Sequence, residues 1–306
     1  MLVLGFSCKC KFLQECEGAA FSILQTMMKI DTLRSTSTAE IRYSFNEAFR
    51  EYFVPVNLSQ QQIEQKLLAE GFEPSISAGV FVEGKLGGFI LHSSGQHKGK
   101  RTAYNSGTGI IAAHRGQHLV PKMYEYLLPL LIEKKYDKSL LEFIRENKVA
   151  RQCYEKVGFQ IVRELLSFKG EVAGAVLHAE VEEIMNPDWL QLQTFWDWEP
   201  SWQHSLDCLK RASGSYKTYG IYKEGGLRAY VVINPLTNRI PSFAVAPGWR
   251  NKGLATALFR HLQQVYRAAP LTMINVDSQQ QPTINFVQSI GLKPLLTQYE
   301  MELMIQ

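Results

Sequence analysis

The sequence has few cysteines, no long hydrophobic run and no block of charge of one sign. No apolar stretch approaches the ~20 residues that span a bilayer as a helix, which argues against a membrane-spanning protein. Five cysteines in 306 residues are too few for a disulfide scaffold, and reduced cytoplasmic thiols are the simplest interpretation. The net charge is only +4, and Lys and Arg are not clustered as they are on a nucleic-acid-binding surface. We therefore expect a cytoplasmic protein without a membrane or nucleic-acid partner.

The composition is that of an ordinary globular protein that is too long for one core. Hydrophobic residues make up 45% of the chain and charged residues 20%. Because single cores rarely exceed ~250–300 residues, a chain of 306 residues favours two domains. Pro187 and Pro200 bracket a tryptophan-rich stretch that is the predicted connector.

Three of the five cysteines, Cys8, Cys10 and Cys16, lie close together near the N-terminus. A structural zinc site needs a fourth ligand at a suitable spacing, and the nearest histidine in sequence is His92. We therefore predict no metal site.

Residues 1–27 fit poorly with the sequence that follows, and Met28 begins the orderly part of the chain. The apolar run at the very start is too short for a secretory signal and has no basic residues before it. We interpret this leader as disordered or as the product of an upstream start codon. A lipid anchor at Cys8 is the alternative interpretation.

Residues 245–255 read Val-Ala-Pro-Gly-Trp-Arg-Asn-Lys-Gly-Leu-Ala, an apolar strand end followed by a turn and the start of an amphipathic helix. The first amides of a helix have no intrahelical partner, and the helix dipole adds partial positive charge there. The segment therefore predicts a polyphosphate site. Gly253 and Ala255 leave the backbone accessible, and Arg250 and Lys252 add charge. The glycine spacing differs from that of a P-loop or a dinucleotide fingerprint.

The same arrangement occurs a second time upstream. Residues 109–119 read Gly-Ile-Ile-Ala-Ala-His-Arg-Gly-Gln-His-Leu and precede a helical pattern. A predicted strand at 140–144 then leads into Glu-Asn-Lys-Val-Ala-Arg-Gln-Cys-Tyr-Glu-Lys-Val-Gly-Phe at 146–159, and residues 271–292 repeat that strand, helix and turn. Arg115 and Gly158 are 43 residues apart, and Arg250 and Gly291 are 41 apart. Two motifs that recur at matched spacing indicate a tandem repeat.

Both copies resemble the GCN5-related N-acetyltransferases. Their motif A has the pattern Arg/Gln-x-x-Gly-x-Gly/Ala, and a later motif has Asn-x-x-Ala-x-x-x-Tyr-Glu-Lys-x-Gly-Phe. The resemblance covers about residues 41–170 and 200–306. It implies an α+β chain of two tandem acyl-CoA N-acyltransferase-like domains, each a splayed, mostly antiparallel sheet flanked by helices. We place the domains at 28–170 and 201–306, with the connector at 171–200.

The resemblance also implies the chemistry. In this family an amine attacks the thioester of acetyl-CoA directly, so the fold supplies orientation and charge stabilisation. We therefore predict an N-acetyltransferase that uses acetyl-CoA as co-substrate and a small primary amine as acceptor. By position, Tyr154 would protonate the departing thiolate, and its alternative role is that of an aromatic core residue. Water or a carboxylate would remove the amine proton. Asp277, at the end of a predicted strand beside the cleft, is our candidate for that base, and capping a turn is its alternative role. A backbone amide would polarise the thioester carbonyl.

The two copies divide the family's signature between them. The first keeps Tyr154 but has His118 and Val120 where the family has small residues. The second keeps the small residues but has Phe286 where the tyrosine belongs and Gln279 where the asparagine belongs. We favour the second copy as the cofactor site, with Ala244, Val245, Arg250, Asn251, Lys252, Gly253, Leu254, Ala255 and Thr256. The second candidate site comprises Ile110, Ile111, Arg115, Gly116, Gln117 and Asn147.

The split signature leaves a second hypothesis open, in which the chain is a non-catalytic acyl-CoA sensor or a scaffold. The two hypotheses differ on turnover, because only an enzyme releases free CoA when an amine is present. Trp196, Trp198 and Trp202 either line an acceptor pocket or, as we favour, pack the two domains together.

The sequence also makes local predictions. Ser44 and Ser59, each followed three residues later by Glu or Gln, predict capping boxes that begin two short helices. Residues 299–304 predict a closing strand with alternate faces buried. We interpret the scattered His92, His97, His114 and His118 as non-catalytic residues.

Overall fold

The computed structural model describes residues 28–172 and 179–306 of the chain. The predictions for residues 1–27, including the three cysteines there, lie outside the described residues, and the predicted connector is described only in part. Within the two described ranges, no helix combines the length and the apolar character that crossing a membrane requires.

The strands of the described residues form one continuous sheet. In chain order they are β1 Met28–Thr32, β2 Ala78–Val82, β3 Lys85–His97, β4 Lys100–Ile110, β5 Lys138–Ile144, β6 Gln160–Gly170, β7 Glu182–Glu183, β8 Lys217–Lys223, β9 Gly226–Asn234, β10 Arg239–Val245, β11 Leu271–Asp277 and β12 Lys293–Met304. The α-helices are α1 Thr38–Phe49, α2 Gln60–Glu70, α3 Leu119–Glu133, α4 Lys148–Val157, α5 Trp189–Gln193, α6 Leu206–Arg211, α7 Leu254–Val265 and α8 Gln281–Ser289.

The two copies of the repeat exchange their last strands. The sheet has the order β1-β2-β3-β4-β5-β12-β6-β11-β10-β9-β8-β7. Thus β12 pairs with β5 of the first copy, β6 pairs with β11 of the second, and β12 and β6 pair with each other at the centre. The predicted α+β architecture of two tandem domains is confirmed, with both domains completed by a strand from the other.

In each half of the sheet two parallel strands diverge and leave a V-shaped opening. Strands β4 and β5 pair from Thr102 to Asn105 on β4, and residues 106–110 continue without pairing to β5. Strands β10 and β11 pair only between Arg239 and Thr272. Backbone groups that have lost a ladder partner can hydrogen-bond another molecule.

Helices cover both faces of the first copy. One face of its sheet packs under α1 and α2, with a core that includes Ile41, Phe45, Ile63 and Phe89. The other face packs under α3 and α4, with a core cluster whose larger members are Met123, Tyr124, Leu127, Phe143, Tyr154 and Phe159. Adjacent residues of β3 point to opposite faces, as a strand requires.

The second copy has the same layers, but its two leading helices, α5 and α6, are shorter than α1 and α2. Its larger core lies under α7 and α8 and includes Leu258, Phe259 and Val287. The opposite face is covered by the segment around α5, through Leu192 and Phe195.

Only one of the two predicted capping boxes exists. The Ser59 hydroxyl accepts the Gln62 N–H, and the Gln62 side chain accepts the Ser59 N–H, so α2 begins as predicted. The predicted helix start at Ser44 is wrong, because α1 begins earlier, with Ser37 as its N-cap. Ser44 is buried inside α1 and donates its hydroxyl to the Leu86 carbonyl on β3. The local sequence around Ser44 matches a capping box, so it does not distinguish a helix cap from a buried serine that bonds to a distant strand.

Trp202 packs the two copies together, as predicted, whereas Trp196 and Trp198, for which we favoured the same role, line a cavity of the second copy. The Trp202 ring is buried and stacks on Tyr104 of β4 with 5.1 Å between ring centroids. Its indole N–H donates to the Glu70 carbonyl at the end of α2, at 3.0 Å.

The closing strand exists, but its predicted alternation of buried and exposed faces is wrong. Glu300 and Met301 are adjacent and both fully buried. The reason is that β12 is a central strand, covered on both sides, and not the edge of its own domain. Glu300 is charge-paired there with Arg163 of β6.

Candidate functional site

The start of α7 has the geometry of an anion site. Gly253 is its N-cap residue, with a left-handed backbone at φ 78°, and glycine offers no side chain to cap the helix. The first amides of the helix, from Leu254 to Thr256, therefore have neither an intrahelical nor a side-chain acceptor from the cap. Such amides, aligned with the helix dipole, favour phosphate oxygens.

A cavity of about 400 Å³ joins this helix start to the V-shaped opening between β10 and β11. It takes in eight of the nine residues predicted for the second copy: Ala244, Val245, Arg250, Asn251, Gly253, Leu254, Ala255 and Thr256. The ninth, Lys252, places its ammonium 4.6 Å from the ring centroid of Trp249, at the rim. Ligand pockets of this size commonly hold small molecules.

The pleat of β10 assigns one backbone amide to the opening. Ala246 donates its N–H to the Arg228 carbonyl, on the side of β9, at 2.8 Å. Successive residues of a strand alternate the direction of their N–H groups, so the Val245 N–H points away from β9 and into the opening. Ala244, the other predicted residue, directs its N–H back towards β9.

Arg250 is tied into the protein scaffold. Its guanidinium donates through Nε to the Val245 carbonyl and through Nη2 to the Phe195 carbonyl, and it forms an ion pair with Asp197. The prediction that Arg250 supplies free positive charge is therefore too simple. Its geometry holds the turn before α7 against the segment that follows α5.

Arg115 repeats this arrangement in the first copy. Its Nε donates to the Ile110 carbonyl and its Nη2 to the Ala48 carbonyl near the end of α1. Ala48 and Phe195 therefore occupy equivalent places. By the same alternation, the Ile111 N–H donates to Gly87 on β3, and the Ile110 N–H points into the opening of the first copy.

The two helix starts differ at the position nearest the helix. In the first copy His118 occupies the N-cap of α3, with φ 53°, where the second copy has Gly253. In the turn before α3, Gly116 has a left-handed backbone two residues before His118. Its counterpart in the second copy is Asn251, which is also left-handed, at φ 58°. The Cβ of His118 narrows the path by which a phosphate reaches the first amides of α3, as the sequence indicates. Gln117 is half-buried between these two positions.

Tyr154 is part of the core of the first copy. Its ring is buried, with centroids 5.8 Å from Phe159 and 6.1 Å from Phe143. Burial raises the pKa of the Tyr154 phenol. Asn147 caps α4 by accepting the Ala150 N–H, and its amide donates to the Tyr52 hydroxyl.

The structure corrects the register of the second motif by one residue. The Phe159 N–H donates to the Tyr154 carbonyl, and the Leu292 N–H donates in the same way to Val287, both at 3.0 Å. Val287, and not Phe286, is therefore the counterpart of Tyr154, and Gln280, the N-cap of α8, is the counterpart of Asn147. Phe286 lies in the cavity wall, while Val287 is fully buried. Neither can donate a proton.

Asp277 is engaged in other interactions. One carboxylate oxygen accepts the Gln279 N–H at 2.9 Å, and the other lies 3.5 Å from Arg163. It ends β11 and caps a turn, and the residues described as lining the cavity do not include it. The prediction that it is the general base has no support in this geometry.

The sequence did not point to the polar groups at the inner end of the cavity. Ser242 and His204 line it, and the Ser242 hydroxyl is 2.9 Å from the buried Tyr230 hydroxyl. Tyr230 also accepts the indole N–H of Trp196. Burial, assisted by the charge of Arg239, lowers the pKa of His204 to about 3. His204 lies in a short 3-10 turn at Trp202–His204 that carries no motif.

A splayed sheet with a bare helix start aimed into its opening is the architecture of an acyl-CoA-dependent N-acyltransferase. Residues 40–159 and 179–292 match the sequence profile of the Acetyltransferase (GNAT) family. The chain belongs to this family, and both copies of the repeat are members of it.

Solved structures share this tandem fold at low sequence identity. A GCN5-related N-acetyltransferase from Sphaerobacter thermophilus is 11% identical, with a TM-score of 0.68 over 92% of this chain and 96% of that one. A tandem GNAT protein from the clavulanic acid biosynthesis pathway is 10% identical, with a TM-score of 0.70 over 91% of this chain and 99% of that one. A putative acetyltransferase from Pyrococcus horikoshii is 11% identical, with a TM-score of 0.65 over 92% and 90%. None of the curated proteins compared with the chain is a significant match.

Proposed function

We propose that the chain is an acetyl-CoA-dependent N-acetyltransferase whose cofactor site lies in the second copy and whose acceptor is a small primary amine. The observation that carries the proposal is the cavity between β10 and β11, which reaches from the bare amides of α7 to an inner end lined by Ile240, Met273, Ser242 and His204. A pyrophosphate fits the amides that follow Gly253, because a helix N-terminus without a cap offers several N–H donors to one anion.

The residues of the opening supply orientation and charge stabilisation. Acetyl-CoA would bring an activated acyl group, from which the amine takes the acetyl as its new N–C bond forms and the C–S bond breaks. The Val245 N–H is directed to where negative charge develops on the acyl oxygen. The amine releases one proton and the departing sulfur takes up one. With Phe286 and Val287 in place of a tyrosine, solvent is the proton donor to sulfur.

The first copy, 28–170 in the proposed division, serves as a scaffold. Tyr154 is packed among aromatic rings, and His118 stands at the helix start where the second copy has Gly253. Asn105, at the point of β4 where pairing with β5 ends, donates its amide to Thr108 of the same strand and to the Tyr124 hydroxyl on α3, both at 2.8 Å. The second candidate site, which includes Gly116 and Gln117, is therefore the weaker one.

The competing function is that of a non-catalytic acyl-CoA sensor. The missing tyrosine in the second copy favours it, since a bound thioester would then lack a side-chain proton donor.

Turnover distinguishes the two functions. Release of free thiol from acetyl-CoA is measured with a chromogenic disulfide, with and without a panel of primary amines. Amine-dependent thiol release that Gly253→Glu abolishes supports the enzyme. Saturable binding of acetyl-CoA without thiol release above the rate of hydrolysis, for every amine, supports the sensor.

A further inference from the structure

The inner end of the cavity is separate from the cofactor end. Strands β10 and β11 meet at Arg239 and Thr272, so Ile240 and Met273, the next residue on each strand, lie at the apex of the V. Gly253 marks the other end, beyond Val245. At a rise of ~3.3 Å per residue, Ile240 and Val245 are about 16 Å apart along the strand. The cavity therefore has room for a second molecule behind the reacting group.

Two tryptophans form one wall of the cavity. Trp196 and Trp198 both line the cavity and are half-buried. The indole N–H of Trp196 is committed to Tyr230, so its polar edge is turned into the wall. Trp198 packs against the core beneath α7. The Trp196 ring therefore presents mainly carbon to the cavity, and the Trp198 ring is held by apolar packing.

The described residues that line the cavity carry no unbalanced charge. Asp197 is the carboxylate of the lining, and Arg250 neutralises it in an ion pair. His204 stays neutral, because burial lowers the pKa of its ring to about 3. A second ammonium would find no free anion among these lining residues, and an acceptor carboxylate would find no free cation among them. Arg239, whose charge acts on His204, does not line the cavity.

We propose that the acceptor is an arylalkylamine, a primary amine whose only other feature is a flat aromatic group, bound between the Trp196 and Trp198 wall and the apex residues Ile240 and Met273. This inference rests on the proposed function, which supplies the reaction. It adds the chemical class of the acceptor that binds at the same site. The aromatic group stacks on indole carbon, and the amine faces the acyl group near Val245. Aromatic stacking and apolar burial supply the affinity.

The shape of the cavity agrees with this class. About 400 Å³ must hold the acyl end of the cofactor as well as the acceptor, which favours a small acceptor. Ser242 and His204 are the polar side chains of the inner wall, and Ser242 is engaged with Tyr230. A polyhydroxylated acceptor would leave most of its hydroxyls without partners.

Two readouts test the proposal. Binding of 2-phenylethylamine is measured through quenching of tryptophan fluorescence, and its acetylation is measured through thiol release from acetyl-CoA. Spermidine and glycine serve as matched amines that carry extra positive charge or a carboxylate. We expect kcat/KM for 2-phenylethylamine to exceed that of either control amine by about a hundredfold, or ~2.7 kcal/mol of transition-state binding.

A pair of variants locates the binding surface. Trp198→Ala should raise KM for 2-phenylethylamine at least about tenfold and leave KM for acetyl-CoA unchanged. Trp189→Ala is the matched control, because Trp189 is another half-buried tryptophan of the same segment that lies against a different pocket. It should leave both constants unchanged. A merely structural role of Trp198 would reduce kcat for all amines and weaken acetyl-CoA binding as well.

The remaining outcomes distinguish a wrong acceptor from a wrong cofactor site. If acetyl-CoA binds but spermidine or glycine is acetylated faster, or no arylalkylamine is acetylated, the acceptor proposal is wrong and the cofactor assignment stands. If acetyl-CoA does not bind, the proposed function fails, and quenching by 2-phenylethylamine then reports on the tryptophan wall alone. Absence of quenching overturns the acceptor proposal in either case.

Discussion

Arg163 of β6 forms a charge-paired double hydrogen bond with Glu300 of β12, the last strands of the two copies. Glu300 is fully buried, and the Arg163 side chain is 7% exposed. Each strand lies beside a strand of the other copy, so this pair stands at the centre of the shared sheet. The two copies are joined by backbone ladders as well as by side chains, and they should unfold together.

The first prediction concerns this pair. Glu300→Ala leaves the buried Arg163 with its hydrogen bond to the Glu199 carbonyl and, as a charged partner, only the longer contact to Asp277. It should lower the free energy of unfolding by about 3–5 kcal/mol. The double variant Arg163→Met with Glu300→Ala should lose less than the sum of the two single variants. Urea denaturation of all four proteins measures the coupling, and additive losses would show that the pair does not interact.

The second prediction concerns Trp202. Because its ring is fully buried between the copies and its N–H satisfies the Glu70 carbonyl, Trp202→Ala should cost about 3–5 kcal/mol of unfolding free energy. Trp189→Ala serves as control and should cost clearly less, since Trp189 is only half-buried. Equal losses in thermal or urea denaturation would contradict the role of Trp202 as the joint between the copies.

The third prediction concerns Glu142 of β5, which lies directly opposite Glu300 of β12 in the sheet. Asn275 donates to Glu142 Oε2 at 2.6 Å, while Glu142 Oε1 and Asn275 Oδ1 are buried without partners among the described residues. Burial, reinforced by the charge of Glu300, raises the pKa of Glu142 to about 8. The folded state therefore binds more protons than the unfolded state between about pH 4.5 and about pH 8, and the free energy of unfolding falls as pH rises through this range.

Glu142→Gln should remove that decline, because a glutamine amide supplies permanently the donor that the protonated acid supplies. We expect the variant to exceed the wild type by about 1–3 kcal/mol near pH 9 and to approach it near pH 5. Chemical denaturation at several pH values tests this. Curves that stay parallel across the range would mean that Glu142 is ionised throughout.

The fourth prediction concerns the pH dependence of the reaction. A lowered pKa of about 3 keeps His204 neutral above pH 5, so its titration should not appear in the rate. The amine reacts only when deprotonated, so kcat/KM should rise about tenfold per pH unit below the pKa of the amine. His204→Gln should preserve the shape of this profile. An inflection between about pH 6 and about pH 7 that the variant abolishes would identify His204 as a titrating base with an ordinary pKa.

Local sequence patterns predicted the helix start at Gly253, the strands around it and the fold class. The helix start at Gly253 follows from a glycine that ends a turn before an amphipathic run, and the strands around it follow from their apolar character. The repeat made the fold class recognisable, because two copies of two motifs at matched spacing rarely arise by chance.

The exchange of β6 and β12 could not be predicted, because each strand would pair equally well with its own copy by local criteria. Burial of Ser44 depends likewise on Leu86, which is 42 residues away. The one-residue error at Phe286 arose because copy two has no tyrosine to fix the alignment. His204 reaches the cavity only through the packing of a segment without a motif.

The most direct test is a calorimetric titration of acetyl-CoA into wild type, Gly253→Glu and Gly116→Glu. Both glycines have φ 78°, so both variants carry similar backbone strain, and each puts a carboxylate beside one helix start. We predict that Gly253→Glu weakens binding at least about tenfold, or ~1.4 kcal/mol, while Gly116→Glu binds like the wild type. Loss of binding in Gly116→Glu alone would place the cofactor in the first copy and contradict the account.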